Sequence, residues 1–180
     1  MNFLVAIAQS WTPEFLKKRE MNKLFRVVGK AFGYAPPRLR GLSYSESLKM
    51  FAEFTSFAVE RADGEGRDLN SIRSELFDGA QEAGRRFRRV FGASTTKSVM
   101  DVARMIYQLL GIEFQGSSAG EVEIPRCYFA QFYSPQTCAI ISGLDEGLLS
   151  GLSGGGTLVF SQRISEGHHH CTARLQQMED

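Results

Sequence analysis

Cysteine, histidine and tryptophan are scarce in this 180-residue chain: three, three and one. An odd number of cysteines excludes a complete disulfide framework. An excess of charge is also missing, since 21 basic residues stand against 20 acidic ones and leave +1. Wrapping a nucleic-acid backbone needs a concentrated surplus of cations, so no nucleic-acid partner is expected. Long hydrophobic runs are absent too. The run at the start, Phe3 to Ala8 within "MNFLVAIAQSW", has six residues and no basic flank. That is too short for a signal h-region or a membrane span, and the segment reads as a first helix or an ordered arm. The expectation is a cytoplasmic protein with no membrane partner, whose thiols stay reduced.

What the chain does hold is apolar stock for one core: 43% hydrophobic residues, 14 of them phenylalanine. The length suits a single domain over 1–180, with 1–110 mainly helical and 111–176 of mixed character. Thr12 and Pro13 open a first helix as N-cap and first helical residue, with Phe15, Leu24, Val28 and Phe32 at helical spacing and Gly33 as the stop. A second helix follows Ser43 or Ser45 and ends in the polar "ADGEGRD". A third shows a stripe of Leu76, Ala80, Ala83, Phe87 and Phe91. That puts Arg85, Arg86, Arg88 and Arg89 on its flanks as a solvated basic face, with an anion contact open for one of them. A fourth, capped near Ser94 or Thr95, carries Val99, Val102, Ile106 and Leu110.

After Gly111 the rhythm changes. "GIEFQ" and "EVEIPRCYFAQF" read as strands around the loop "GSSAG". "SPQTCAIISGLDEGLLSGL" reads as one helix from an N-cap at Ser134, with Asp145 and Glu146 solvated. "SGGG" stops it. That glycine run follows a helix and lacks the lysine of a phosphate loop, so it is a connector. "TLVFSQRI" and "HHHCTARL" complete a β-β-α-β-β order. The fold class expected is α+β, with N-terminal helices packed on one face of a four-stranded antiparallel sheet.

The chemistry-bearing residues gather in this second half. If His168 to Leu175 is a strand, alternation puts Cys171 with His169, Ala173 and Leu175 on the apolar face, and His168 and His170 with Thr172 and Arg174 on the other. Cys127 and Cys138 are the obvious partners for Cys171. Three sulfurs and His169 would suit zinc or another transition metal, although no C-x-x-C knuckle is present. Alternatively, Cys138 near a helix N-terminus gains thiolate character from the macrodipole, with His169 or His170 as acid or base. Simple packing of the thiols is the third reading. Glu166 is the candidate carboxylate. The partner expected is a small-molecule ligand or substrate, with a homo-oligomer also compatible.

The stretches "LLGIEF" and "PRCYFAQFYSPQTCAIISGLDEGLLSGLSGGGTLVFSQRISEGHHHCTARL" resemble the L-2-amino-thiazoline-4-carboxylic acid hydrolase family. The resemblance rests on Cys127 in a strand, Cys138 in the next helix, and Gly167 with Cys171 at the end. The same ending is similar to the small-molecule-binding domains named after vinyl reductase. The hydrolase resemblance implies water-driven opening of a small cyclic C–N bond. Cys127, Cys138 and Cys171 would form its site, His169 or His170 would protonate the ring nitrogen, and Arg126, Arg163 or Arg174 would hold the substrate carboxylate. The vinyl-reductase resemblance implies a non-enzymatic metal- or ligand-binding module instead.

Overall fold

A computed structural model describes residues 13–176. The expected arm at 1–11 and the N-cap at Thr12 lie outside the described residues. Helix α1 (Glu14–Phe32) begins one residue later than the proline signal suggests, with Pro13 itself at the N-cap position. It closes in a Schellman motif: Gly33 sits at φ 67°, its N–H reaching Lys30 O, while Tyr34 N–H reaches Gly29 O at 2.9 Å. Phe15, expected on the core stripe, is instead 68% exposed, whereas Val28 and Phe32 are fully buried. The buried set of α1, namely Met21, Phe25, Val28 and Phe32, is a stripe one notch round from it.

Helix α2 (Tyr44–Gly64) starts in a capping box, Ser43 with Glu46, which decides between the two serine candidates. The chain reaches it through the Pro36–Pro37 stretch, an extended segment that returns beside α1. Tyr44 N–H meets Glu14 at 3.3 Å, Phe25 meets Phe51 edge-on at 5.1 Å, and Tyr34 OH reaches Glu65 at 3.1 Å. Partner numbers rise together along both helices, so α1 and α2 run parallel. Helix α3 (Leu69–Phe91) is capped by Asp68 and runs antiparallel to α1, with Arg86 pairing to Glu20 at 2.7 Å. Its buried stripe is Ile72, Leu76, Ala80 and Gly84, a spacing of four that differs from the expected one beyond Ala80. Of the four flank arginines, Arg85 and Arg89 are exposed, while Arg86 pairs with Glu20 and Arg88 donates to Ala93 O at 3.1 Å. Helix α4 (Thr96–Leu109) begins at a Thr95–Ser98 capping box.

Strands β1 (Ile112–Gly116), β2 (Glu121–Cys127), β3 (Thr157–Gln162) and β4 (Cys171–Gln176) form an antiparallel sheet in the order β1-β2-β4-β3. Helices and an antiparallel sheet make the α+β class. One face carries Ile112, Phe114, Val122, Ile124, Leu158, Cys171, Ala173 and Leu175, all buried in the core with the helices. The other carries Gln115, Glu121, Glu123, Thr157 and Arg174 and is exposed.

Two expected elements change shape. The strand after Glu121 ends at Cys127, and Tyr128–Gln131 winds into a 3₁₀ turn. The single helix after Ser134 is two, α5 (Pro135–Ile141) and α6 (Gly143–Ser153), which break at Ser142.

The break aims α6 along α3. Gly143, Gly147 and Gly151 stand four residues apart, and a Cβ on each would strike the backbone of α3 at Arg73, Phe77 and Gln81, respectively. Each glycine therefore meets the residue 70 positions earlier, and the two helices run parallel at backbone contact. Side chains are absent where the axes are closest, which leaves room for Leu76, Leu149 and Leu152 to bury completely beside the seam.

Candidate functional site

Cys127 ends β2, Cys138 lies in α5 and Cys171 starts β4. Cys138 lies within electrostatic reach of both other thiols. Burial dominates all three and pushes each thiol up; for Cys127 the value is about 12. The amides of Phe129 and Ala130 pull Cys127 the other way, and Arg163 does so for Cys138 and Cys171, but neither offsets the loss of water. At neutral pH the thiols are protonated. The macrodipole argument fails for Cys138 for a local reason: α5 has only seven residues, and the Cys138 amide already donates to Ser134 O at 2.9 Å.

The acid at the centre is Asp145. Its carboxylate accepts from Tyr107 OH at 2.8 Å, and Tyr107 is only 2% exposed. Burial raises Asp145 to about 6, against the lowering pull of the Tyr107 hydrogen bond and of Arg163. Glu146 does not extend into solvent either. Arg73 Nη2 donates to both its oxygens at 2.6 and 2.7 Å, while Arg73 Nε reaches Ala139 O at 3.2 Å, tying α3, α5 and α6 together. The expectation that Asp145 and Glu146 are solvated is thus corrected: the α6 glycines turn that face of the helix inward. Tyr133 OH pairs with Thr55 Oγ1 at 2.6 Å and closes the cluster on the α2 side.

The 3₁₀ turn Ile164–Glu166 after β3 forms the edge of the site. Ile164 N–H donates to Cys171 Sγ at 3.3 Å. Arg163 covers the Phe160 ring at 4.2 Å and stands 3.7 Å from Glu166, its side chain 12% exposed. Ser165 Oγ is buried; it is near enough to Cys138 to favour its thiolate, yet no bond of ordinary geometry forms between them. Chemically, the corner offers donors to an oxygen acceptor and protonated thiols, with the Asp145 carboxylate within electrostatic reach of all three.

The histidines are elsewhere. His168, His169 and His170 form the turn that precedes β4, with His168 and His169 exposed and His170 half-buried. The strand alternation expected for them therefore does not apply before Cys171, and Glu166 beside them is exposed. Among the described residues no group of three or more His, Cys, Asp or Glu side chains is placed to hold a metal ion. The zinc reading of Cys127, Cys138, Cys171 and His169 is overturned, because the turn carries His169 outward while the sulfurs turn in. Arg126 and Arg174 do not reach the cluster. Arg126 is 85% exposed and pairs with Glu113 at 2.8 Å, and Arg174 lies on the open face opposite Glu121. Only Arg163 of the three arginines approaches the thiols. No helix among the described residues is long and apolar enough to cross a membrane.

No protein-family model and no curated protein sequence matches the chain. A solved structure does: a trafficking protein particle complex subunit 3 from Naegleria fowleri, covalently bound to palmitic acid, aligns with a TM-score of 0.50 at 16% identity. The alignment covers 74% of this chain and 97% of that one. The two chains share a fold. That likeness overturns the amino-thiazoline hydrolase and vinyl-reductase resemblances, and with them the expected ring-opening hydrolysis by Cys127, Cys138, Cys171, His169 and His170. The cysteine spacing behind both resemblances marks where β2, α5 and β4 converge in the core, a constraint of packing.

Tyr107 and Tyr133 belong to the cluster but carry no sequence motif, and Asp145 reads from sequence as solvated because the glycine register of α6 goes unweighed. "GLDEGLLSG", with glycine at every fourth position, was the available signal.

Proposed function

We propose that this chain is a non-catalytic assembly subunit, a folded block whose work is to bind other protein chains. The observation that carries the reading is the exposure of Phe15 and Phe57, 68% and 55% accessible, on helices whose opposite faces are fully packed. Covering a phenylalanine of this kind is worth on the order of 2 kcal/mol; single exposed apolar side chains are ordinary, and it is the presence of one on each of two neighbouring parallel helices that favours a surface for a partner. Val90 on α3 and Val159 on β3 add two further exposed apolar residues. The shared fold supports the reading, since the protein that has it is named as a subunit of a particle complex. The thiols, buried at Cys171 and half-buried at Cys127 and Cys138, are in keeping with a packing role for them.

The test is the native mass of the protein in extracts of the cells that make it, compared with a Phe15→Asp/Phe57→Asp variant. A mass well above the monomer, falling in the variant while the purified variant keeps its melting temperature, is the expected result. Wild type migrating as a monomer in the extract refutes the proposal.

A further inference from the structure

Exposed stripes on α1 and α2 differ in charge. On α1, beyond Glu14 at its first position, the exposed residues are Phe15, Arg19, Asn22, Arg26 and Lys30, at steps of four, three, four and four, so they form one stripe. The acids of α1 are already engaged within the chain: Glu14 pairs with Lys18 at 2.9 Å, and Glu20 is shared by Lys23 and Arg86 at 2.7 Å each. Arg26 and Lys30 have no ion-pair partner among the described residues, and Arg19 has only Glu20 at 3.5 Å. The stripe is therefore cationic with a phenylalanine at one end. On α2 an exposed stripe runs through Lys49, Glu53, Phe57 and Glu60, and Arg61 beside it is engaged by Glu65 at 2.7 Å. Among the described residues Glu53 has one distant cation, Lys49 at 3.6 Å, and Glu60 accepts only from Ser56 Oγ at 3.2 Å. This stripe is acidic around a phenylalanine.

The spacings match. Arg19 and Arg26 are seven residues apart, and so are Glu53 and Glu60. Seven residues are two turns, about 10.5 Å along either helix, so both ion pairs form together when the two stripes are laid side by side. Within one chain they cannot meet, because α1 and α2 pack through their other faces, with Phe25 against Phe51 and Phe54. We infer that a second copy of this chain is the partner, seating its α2 stripe on the α1 stripe of the first. Since α1 and α2 are parallel neighbours, a two-fold arrangement uses each stripe twice, as a self-complementary interface requires. Phe15 and Phe57 supply the apolar contact, and the charge pairs set register and orientation. The inference rests on the assembly reading and names its partner.

The test uses two charge-reversed proteins, Arg19→Glu/Arg26→Glu and Glu53→Arg/Glu60→Arg, in sedimentation equilibrium alone and as an equimolar mixture. All four positions are exposed, and circular dichroism and melting temperature check that the fold is retained. Wild type is expected to dimerise with concentration and to weaken as salt is raised. Each variant alone is expected to dimerise about tenfold more weakly or worse, and the mixture to recover, because both of its contacts again pair opposite charges. Three results overturn the inference: wild type that stays monomeric, variants that self-associate as well as wild type, or a mixture no tighter than its components. Purified monomer together with a high native mass in extracts removes the second copy as partner and leaves the assembly reading standing. Monomer in both removes the two together.

Discussion

Gly147→Ala is the sharpest perturbation the structure offers. A Cβ at that position would stand 2.8 Å from the carbonyl carbon of Phe77 and 2.9 Å from its Cα, with the carbonyl oxygen closer still. Ordinary contact begins near 3.4 Å, so α3 and α6 must part by at least about 0.6 Å, the difference between 3.4 and 2.8. The obstacle is helix backbone on both sides, with no flexible side chain to swing away. Separation loosens Leu76, Leu149 and Leu152, all with no exposed surface, and strains the Arg73–Glu146 contact. Alanine for glycine inside a helix favours the helix by about 1 kcal/mol, whereas forced overpacking costs roughly 1–3 kcal/mol and the loosened core adds to it. The net expectation is a loss of about 2 kcal/mol, a fall in melting temperature of roughly 4–8 °C for a chain of this size. The control is Gly64→Ala in α2, where a Cβ meets nothing within 4 Å; it is expected to be neutral or stabilising by up to about 1 kcal/mol. Urea unfolding of the three proteins decides it. A Gly147→Ala protein as stable as wild type would refute the close-packed seam.

Two further outcomes follow from the buried groups. Asp145 loses its proton near 6 when folded and near 3.8 when unfolded, so the folded state holds the extra proton between those values. Stability contributed by that proton is present below about pH 4 and is lost as pH rises to 6. Asp145→Asn should therefore flatten the change in stability between pH 4 and pH 7 by about 2 kcal/mol; an unchanged pH profile by urea unfolding would place the carboxylate in water. The three thiols, held protonated by burial, are expected to react with a thiol reagent at pH 8 far more slowly in the native protein than in denaturant. Rapid native labelling of Cys138 would contradict the burial argument.

The sequence by itself determined the elements wherever local chemistry settles the backbone. Ser43 with Glu46 and Thr95 with Ser98 start helices through their own hydrogen bonds, and Gly33 and Gly92 stop them in a conformation other residues avoid. Composition and alternation were enough for α+β, because the change of apolar period after Gly111 is a property of neighbours in the chain. Tertiary structure alone decided the rest. Phe15 looks like a core residue until the partners of α1 are known. The histidine run looks like a strand until β4 is seen to start at Cys171. Asp145 looks solvated until α6 is seen to turn it onto Tyr107 of α4, and the cysteines look reactive until burial sets their protonation. Which face of a helix meets protein, and how much water a side chain retains, depends on residues far away in sequence. Spacing alone carries neither.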